Sequence, residues 1–153
     1  MGNTLLCFRD YPDAERATRA NRDLVPAAIE EVLRYRPPVV IQARIARRDT
    51  TLGGVPIKAM TPMVSWLMSG NRDEAAFADP DTFNVYRSPN QHLTFGHGIH
   101  FCLGTPLARL ESRVVMNELM DRYAEVTCGT PTYYDRSPDI FGLKALPVTV
   151  RPA

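Results

Sequence analysis

Cys102 lies in the run Phe95-Gly-His-Gly-Ile-His-Phe-Cys-Leu-Gly104, where one thiol sits on a glycine-rich bend directly ahead of a helix-forming segment. A thiolate in that position can ligate a metal. Gly96 and Gly98 admit positive φ, so the spacing predicts a backbone folded tightly beneath whatever the sulfur holds. Thr105-Pro-Leu-Ala-Arg-Leu-Glu111 starts a helix with Pro106 in its first turn. The unpaired N–H groups at that end favour a negative sulfur and a lowered thiol pKa. On residue types alone two other readings stand beside this one. His92, His97, His100 and Cys102 crowd one loop and suit zinc, or Cys102 is a small buried hydrophobe.

A second chemical pair is Glu31 and Arg34, spaced i to i+3 so that both leave one helix face. A third is Arg44, which opens Arg-Ile-Ala-Arg-Arg-Asp49 after Pro37-Pro38. The elements that must carry these residues follow from periodicity and punctuation. Asn3 to Arg9 reads as the last turns of a helix, and Asp13 can cap a short helix through Ala20. Leu24 to Tyr35 is helical, with Pro26 in its first turn and Ile29, Val32 and Leu33 as its buried stripe, and Pro37-Pro38 ends it. β-Branched residues and turn formers from Val39 to Val64 predict short strands, followed by a brief helix over Ser65 to Ser69. Gly70 to Leu93 is irregular, and a loop of that length inside a domain is usually functional. Leu107, Leu110, Val114, Val115, Leu119 and Tyr123 form one apolar face of the helix after the cysteine. Val126 to Val150 reads as strands broken by Gly129, Pro131, Pro138 and Pro147. The class is α+β, mainly helical, with small sheets.

The ten residues ending at Gly104 resemble the haem-binding motif of the cytochrome P450 family: Phe, a small residue, any, Gly, any, a basic residue, any, Cys, an aliphatic residue, Gly. Every specified position is filled. Glu31 and Arg34 match the family's Glu-x-x-Arg pair, and Arg87, ahead of Ser88-Pro89-Asn90, stands where a second arginine joins it. The resemblance spans almost the whole chain and is closest to soluble bacterial members. It implies that residues 1–153 are the C-terminal haem-binding portion of the fold, because family members are more than twice as long and their N-terminal portion is absent here. It further implies haem b as cofactor, with Cys102 as iron ligand. Leu103 and Gly104 would direct N–H groups at its sulfur, and Phe95 and Gly96 would lie against the ring. Arg44 and His100 would pair with the propionates, and Glu31, Arg34 and Arg87 would fix the cysteine loop. Lys58-Ala-Met60 stands where such members often have Pro-Ala-Gly, which implies a strained turn. Val39 to Gln42 and Ile140 to Leu143 resemble pocket-lining stretches.

The implied activity is insertion of one oxygen atom of O2 into a small organic substrate, with electrons from a ferredoxin or flavoprotein. A peroxygenase using hydrogen peroxide and a non-catalytic truncated remnant are the alternatives. Arg72, Arg109 and Arg113 are candidates for the electron-donor surface. Composition is consistent with this. The 153 residues carry 18 basic and 17 acidic side chains, scattered, so nothing points to a nucleic-acid partner. Only Lys58 and Lys144 are lysines, and arginine suits bidentate pairing with carboxylates. Three widely spaced cysteines, Cys7, Cys102 and Cys128, argue against a disulfide framework and for a reducing, cytoplasmic setting. No stretch has the apolar length to cross a bilayer, and the first residues lack the order of a signal peptide or a myristoylation motif.

Overall fold

Helices occupy the first third of the chain and the segment after Cys102, and the strands between and beyond them are short. A computed structural model describes residues 1–134 and 139–153. In order these are α1 (Gly2–Asp10), α2 (Pro12–Ala20), α3 (Val25–Tyr35), β1 (Ile41–Ile45), β2 (Thr50–Leu52), β3 (Val55–Ile57), β4 (Pro62–Trp66) and α4 (Leu67–Gly70). After a long irregular stretch come α5 (Thr105–Arg122), β5 (Tyr123–Cys128), β6 (Thr132–Tyr133), β7 (Leu143–Ala145) and β8 (Val148–Pro152). The strands form antiparallel pairs, β1 with β4, β2 with β3, β5 with β8 and β6 with β7.

The core sits where α1, α3 and α5 meet the irregular stretch. Cys7 and Phe8, then Val25, Ala28, Ile29 and Val32, then Phe83 and Val85, and finally Met116 and Met120 close on one another. Their 3.6-residue spacing on α3 explains its helical form, and Leu33 lies only at the edge of this core. Pro26 occupies the first turn of α3, and the helix stops at Tyr35 ahead of Pro37-Pro38.

Several boundaries differ from the sequence reading. Asp13 is not the cap of α2: the cap is Tyr11, two residues earlier, and the helix starts at Pro12. Ser65 and Trp66 finish β4 by pairing with Gln42 and Ile41, so the brief helix begins at Leu67. Tyr123 already belongs to β5. Pro138 lies outside the described residues. The largest difference concerns α5. Leu107, Leu110, Val114 and Val115 are exposed, and Met116 and Met120 face the core instead. The helix is apolar on both sides, and periodicity does not say which side meets α1 and α3.

The turn before β4 carries the strain that its sequence implies. Met60 has φ of 66°, a left-handed conformation that costs an ordinary side chain free energy.

Candidate functional site

Glu31 and Arg34 project from α3 into full burial, and both side chains have no solvent exposure. Arg34 donates Nε and Nη2 to the two carboxylate oxygens of Glu31, each at 2.8 Å, in the bidentate fork that guanidinium geometry favours. Its remaining N–H groups reach the carbonyls of Asn71, Pro80 and Thr82 at 2.7–3.0 Å. Glu31 also accepts the amide of Asn84 at 2.8 Å, Asn90 Nδ2 at 3.1 Å and Arg87 Nε at 3.2 Å. Arg87 in turn ties down the carbonyls of Ala78, Asp79 and Thr82. A carboxylate stripped of water is stable only with such compensation, and here every charge is paired or hydrogen-bonded. The structure thus joins Glu31, Arg34 and Arg87, and through them organises residues 71–90, which have almost no regular structure.

A second buried centre, absent from the sequence reading, connects this network to the cysteine loop. Asn71 is fully buried, donates Nδ2 to Thr94 Oγ1 at 3.1 Å and to the Arg34 carbonyl, and accepts the Leu93 amide at 2.7 Å. Thr94 Oγ1 donates to the Leu33 carbonyl at 2.6 Å. The end of α3 is therefore stitched to the residues immediately before Phe95. An asparagine and a threonine in loops carry no periodic signal, so only the fold reveals them.

The loop itself is closed by its backbone. Gly96 and Gly98 have φ of 76° and 71°, in the left-handed region that glycine tolerates. The Cys102 amide donates to the Phe95 carbonyl at 2.9 Å, and Thr105 returns its hydroxyl and amide to the Cys102 carbonyl at 2.7 and 3.2 Å. Gly104 caps α5, with Pro106 in its first turn. Cys102 is exposed, and so are Ile99, Phe101 and Leu103, the first and last of these at 97%. A bare thiol among exposed apolar side chains suits a broad apolar metal complex whose iron takes a single sulfur from the protein, as haem iron does. The N–H groups of Leu103 and Gly104 make no hydrogen bond to Sγ among the described residues.

The cationic candidates lie at the edge of this surface. Arg44, on β1, is exposed and donates to Gln42 Oε1 at 2.9 Å. The Gln42 amide lies beside Gly96, where an added Cβ would stand 3.5 Å from its nitrogen and 3.6 Å from the His100 carbonyl. Gln42 thereby places the side chain that Arg44 binds close to the loop, a position its place in a strand does not announce. His100 is exposed. Phe95 is half-buried, edge-on to Phe101 with centroids 6.2 Å apart.

Two of the competing readings fail on geometry. Among the described residues no three His, Cys, Asp or Glu side chains converge on a metal position, so His92, His97, His100 and Cys102 do not form a zinc site. His92 turns inward to Glu30, with Nε2 3.1 Å from Oε2. Nor is Cys102 a buried hydrophobe. That description belongs to Cys7, whose thiol burial pushes up to about 12. Arg72 is also not a free surface cation: it stacks on Tyr35 at 3.8 Å and pairs with Asp81.

Comparison with known proteins places the chain in a family. The family model "Cytochrome P450" matches residues 9–149. Cyclomarin C epoxidase of Salinispora arenicola is 40% identical over 99% of this chain, and Cytochrome P450 109 of Bacillus spizizenii is 44% identical over 98%. The chain spans 38% of the length of each of these relatives. The crystal structure of P450BioI in complex with hexadec-9Z-enoic acid ligated acyl carrier protein superposes with a TM-score of 0.93. Its sequence is 39% identical, over 97% of this chain and 39% of that one. Since the match of residues 9–149 spans the thiol loop and the Glu31–Arg34 pair, the chain belongs to the cytochrome P450 family.

Proposed function

We propose that residues 1–153 are the C-terminal haem-binding portion of a haem-thiolate monooxygenase, with Cys102 as the iron ligand. The observation that carries this reading is the exposed Cys102 thiol on a double-glycine loop, ringed by apolar side chains and anchored to the buried Glu31–Arg34 network. Haem b, when bound, supplies the O2 chemistry that places one oxygen atom in an organic substrate, and thiolate ligation favours it.

The chain's own residues bind, orient and exclude water. With haem in place, Phe95, Ile99, Phe101 and Leu103 would give it apolar surface to lie against and help to keep water from Cys102. Gly96 lets the backbone lie close to the ring. Arg44 and His100 would pair with the haem propionates, because partial burial of a carboxylate requires a cation. Glu31, Arg34 and Arg87 hold the irregular stretch that carries the loop. Val39 to Gln42 and residues 140–143 contribute to the substrate pocket.

The relatives named as an epoxidase, as Erythromycin C-12 hydroxylase and as Mycinamicin IV hydroxylase/epoxidase support oxygen insertion into a small organic molecule. Electrons come from a ferredoxin or flavoprotein. Among the described residues no helix is long and apolar enough to cross a membrane, which suits work in the cytoplasm.

The test is the carbon monoxide complex of the reduced, haem-loaded protein. Thiolate ligation gives a strongly red-shifted Soret band that Cys102→Ser abolishes, and persistence of the band in the variant overturns the assignment. Oxidation of substrate with hydrogen peroxide alone identifies a peroxygenase. Haem binding with no coupled oxidation identifies a non-catalytic remnant.

A further inference from the structure

Glu30, His92, Arg109 and Phe95 form a cluster distinct from the Glu31 network. Arg109, in the second turn of α5, donates Nε and Nη2 to the two oxygens of Glu30 at 2.7 and 2.6 Å. Its guanidinium carbon lies 5.2 Å from the centroid of Phe95, within cation–π range. His92 Nε2 shares Glu30 Oε2 at 3.1 Å, and its ring tilts against Phe95 with centroids 5.8 Å apart. The Thr94 amide donates to His92 Nδ1 at 3.3 Å, so the hydrogen of the neutral ring sits on Nε2 and points at Glu30. The His92 side chain is only 3% exposed and Glu30 is largely covered, so the contact between them is shielded, whereas the Arg109 side of the cluster opens to solvent with 44% of its side chain accessible.

The cluster joins three segments that fold separately. Glu30 comes from α3, His92 and Phe95 from the run entering the cysteine loop, and Arg109 from the helix leaving it. Phe95 is also the residue whose carbonyl receives the Cys102 amide at 2.9 Å. Fixing the Phe95 ring and the start of α5 on one carboxylate sets the two ends of the loop relative to each other, and Cys102 lies between them.

We infer that Glu30 is a positioning residue for the Cys102 thiolate: it holds Arg109 over Phe95 and His92 beside it, and so fixes the distance and orientation of the sulfur. This rests on Cys102 being the haem ligand. Arg109 stays partly exposed, with 44% of its side chain accessible, but both prongs of its fork are committed to Glu30.

The experiment compares the haem-loaded protein with its Glu30→Gln, Arg109→Lys and Arg109→Gln variants. The readouts are the iron–sulfur stretching frequency, the reduction potential and the fraction of the carbon monoxide complex that keeps the red-shifted band. Glu30→Gln preserves shape and removes the charge. Lysine keeps a charge but neither the fork nor the flat stack, so Arg109→Lys does not rescue. Both are expected to shift the stretching frequency and to raise the fraction lacking the band by about two- to fivefold, the factor that loss of a partly exposed ion pair produces. Circular dichroism verifies that each variant is folded. Folded variants with unaltered frequency, potential and band fraction overturn the inference. Absence of the red-shifted band from the unsubstituted protein overturns instead the thiolate reading on which it rests.

Discussion

Glu30 and Glu31 are consecutive residues of α3, yet their carboxylates bind different segments of the chain. One residue is a rotation of about 100° around a helix. Glu31 therefore faces inward to Arg34, Asn84 and Arg87, and Glu30 faces α5 and binds Arg109 and His92. The first organises the stretch leading toward the cysteine loop, and the second spans the loop itself.

Glu31→Ala is expected to destabilise the protein by about 3–5 kcal/mol, because it leaves Arg34 buried without its counter-charge. Denaturant unfolding of the haem-loaded protein checks this, together with haem retention on a desalting column. An effect below about 1 kcal/mol, the range of exposed pairs, would mean that the carbonyls of Asn71, Pro80 and Thr82 suffice to hold Arg34.

Glu30 gives a pH dependence with a definite sign. Burial by itself raises its carboxyl pKa, but the hydrogen bonds from His92 and Arg109 outweigh burial and hold it down at about 2, against an ordinary 4.5. A folded-state value below the unfolded one contributes stability above the unfolded value, and the contribution is lost as pH falls through the folded value. The expected loss therefore runs from about pH 4.5 to about 2. Unfolding curves across that range should be steeper in pH for the unsubstituted protein than for Glu30→Gln. Parallel curves would show that the carboxyl titrates as if it were free.

The Met60 turn offers a stabilising change. Its amide donates to the Ala46 carbonyl at 2.7 Å and its side chain is exposed, so the left-handed conformation is imposed by the turn and not by packing. Met60→Gly removes a strain of about 1–2 kcal/mol and restores some unfolded-state entropy. A net gain of roughly 0.5–1 kcal/mol is expected, read as a higher melting temperature. An unchanged or lower value would place the strain elsewhere.

How far the site was legible from sequence depends on the kind of residue. Cys102 with Gly96 and Gly98, and Glu31 with Arg34, are recognisable because fixed spacing on one loop or one helix sets their geometry. Arg87 is 56 residues from Glu31 and was reached only through family resemblance. Asn71, Thr94, Gln42, Glu30 and His92 act through contacts between distant segments, and nothing in their local sequence marks them for that. The inward face of α5 was not legible for a related reason. A helix with apolar residues on two sides has its inward face chosen by tertiary packing, and Met116 and Met120 fill the irregular space against α1 and α3.

Of the three arginines expected at an electron-donor surface, the structure leaves Arg113 as the free one. Arg72 is held by Tyr35 and Asp81, and Arg109 by Glu30, whereas Arg113 has no ion pair among the described residues. It lines a cleft of about 390 Å³ with Pro26, Pro106, Leu110 and Arg109, so a partner's carboxylate can reach it beside an apolar floor. An acidic ferredoxin steered by this charge should reduce the haem-loaded protein on the order of tenfold more slowly after Arg113→Glu at low ionic strength. The difference should shrink as salt shortens the screening length. Stopped-flow reduction measures both effects, and the carbon monoxide spectrum should remain unchanged because Arg113 makes none of the contacts that fix the cysteine loop. Equal rates at low salt would remove Arg113 from the docking surface. A slowed rate that salt does not relieve would point to a change in the protein and not in the encounter.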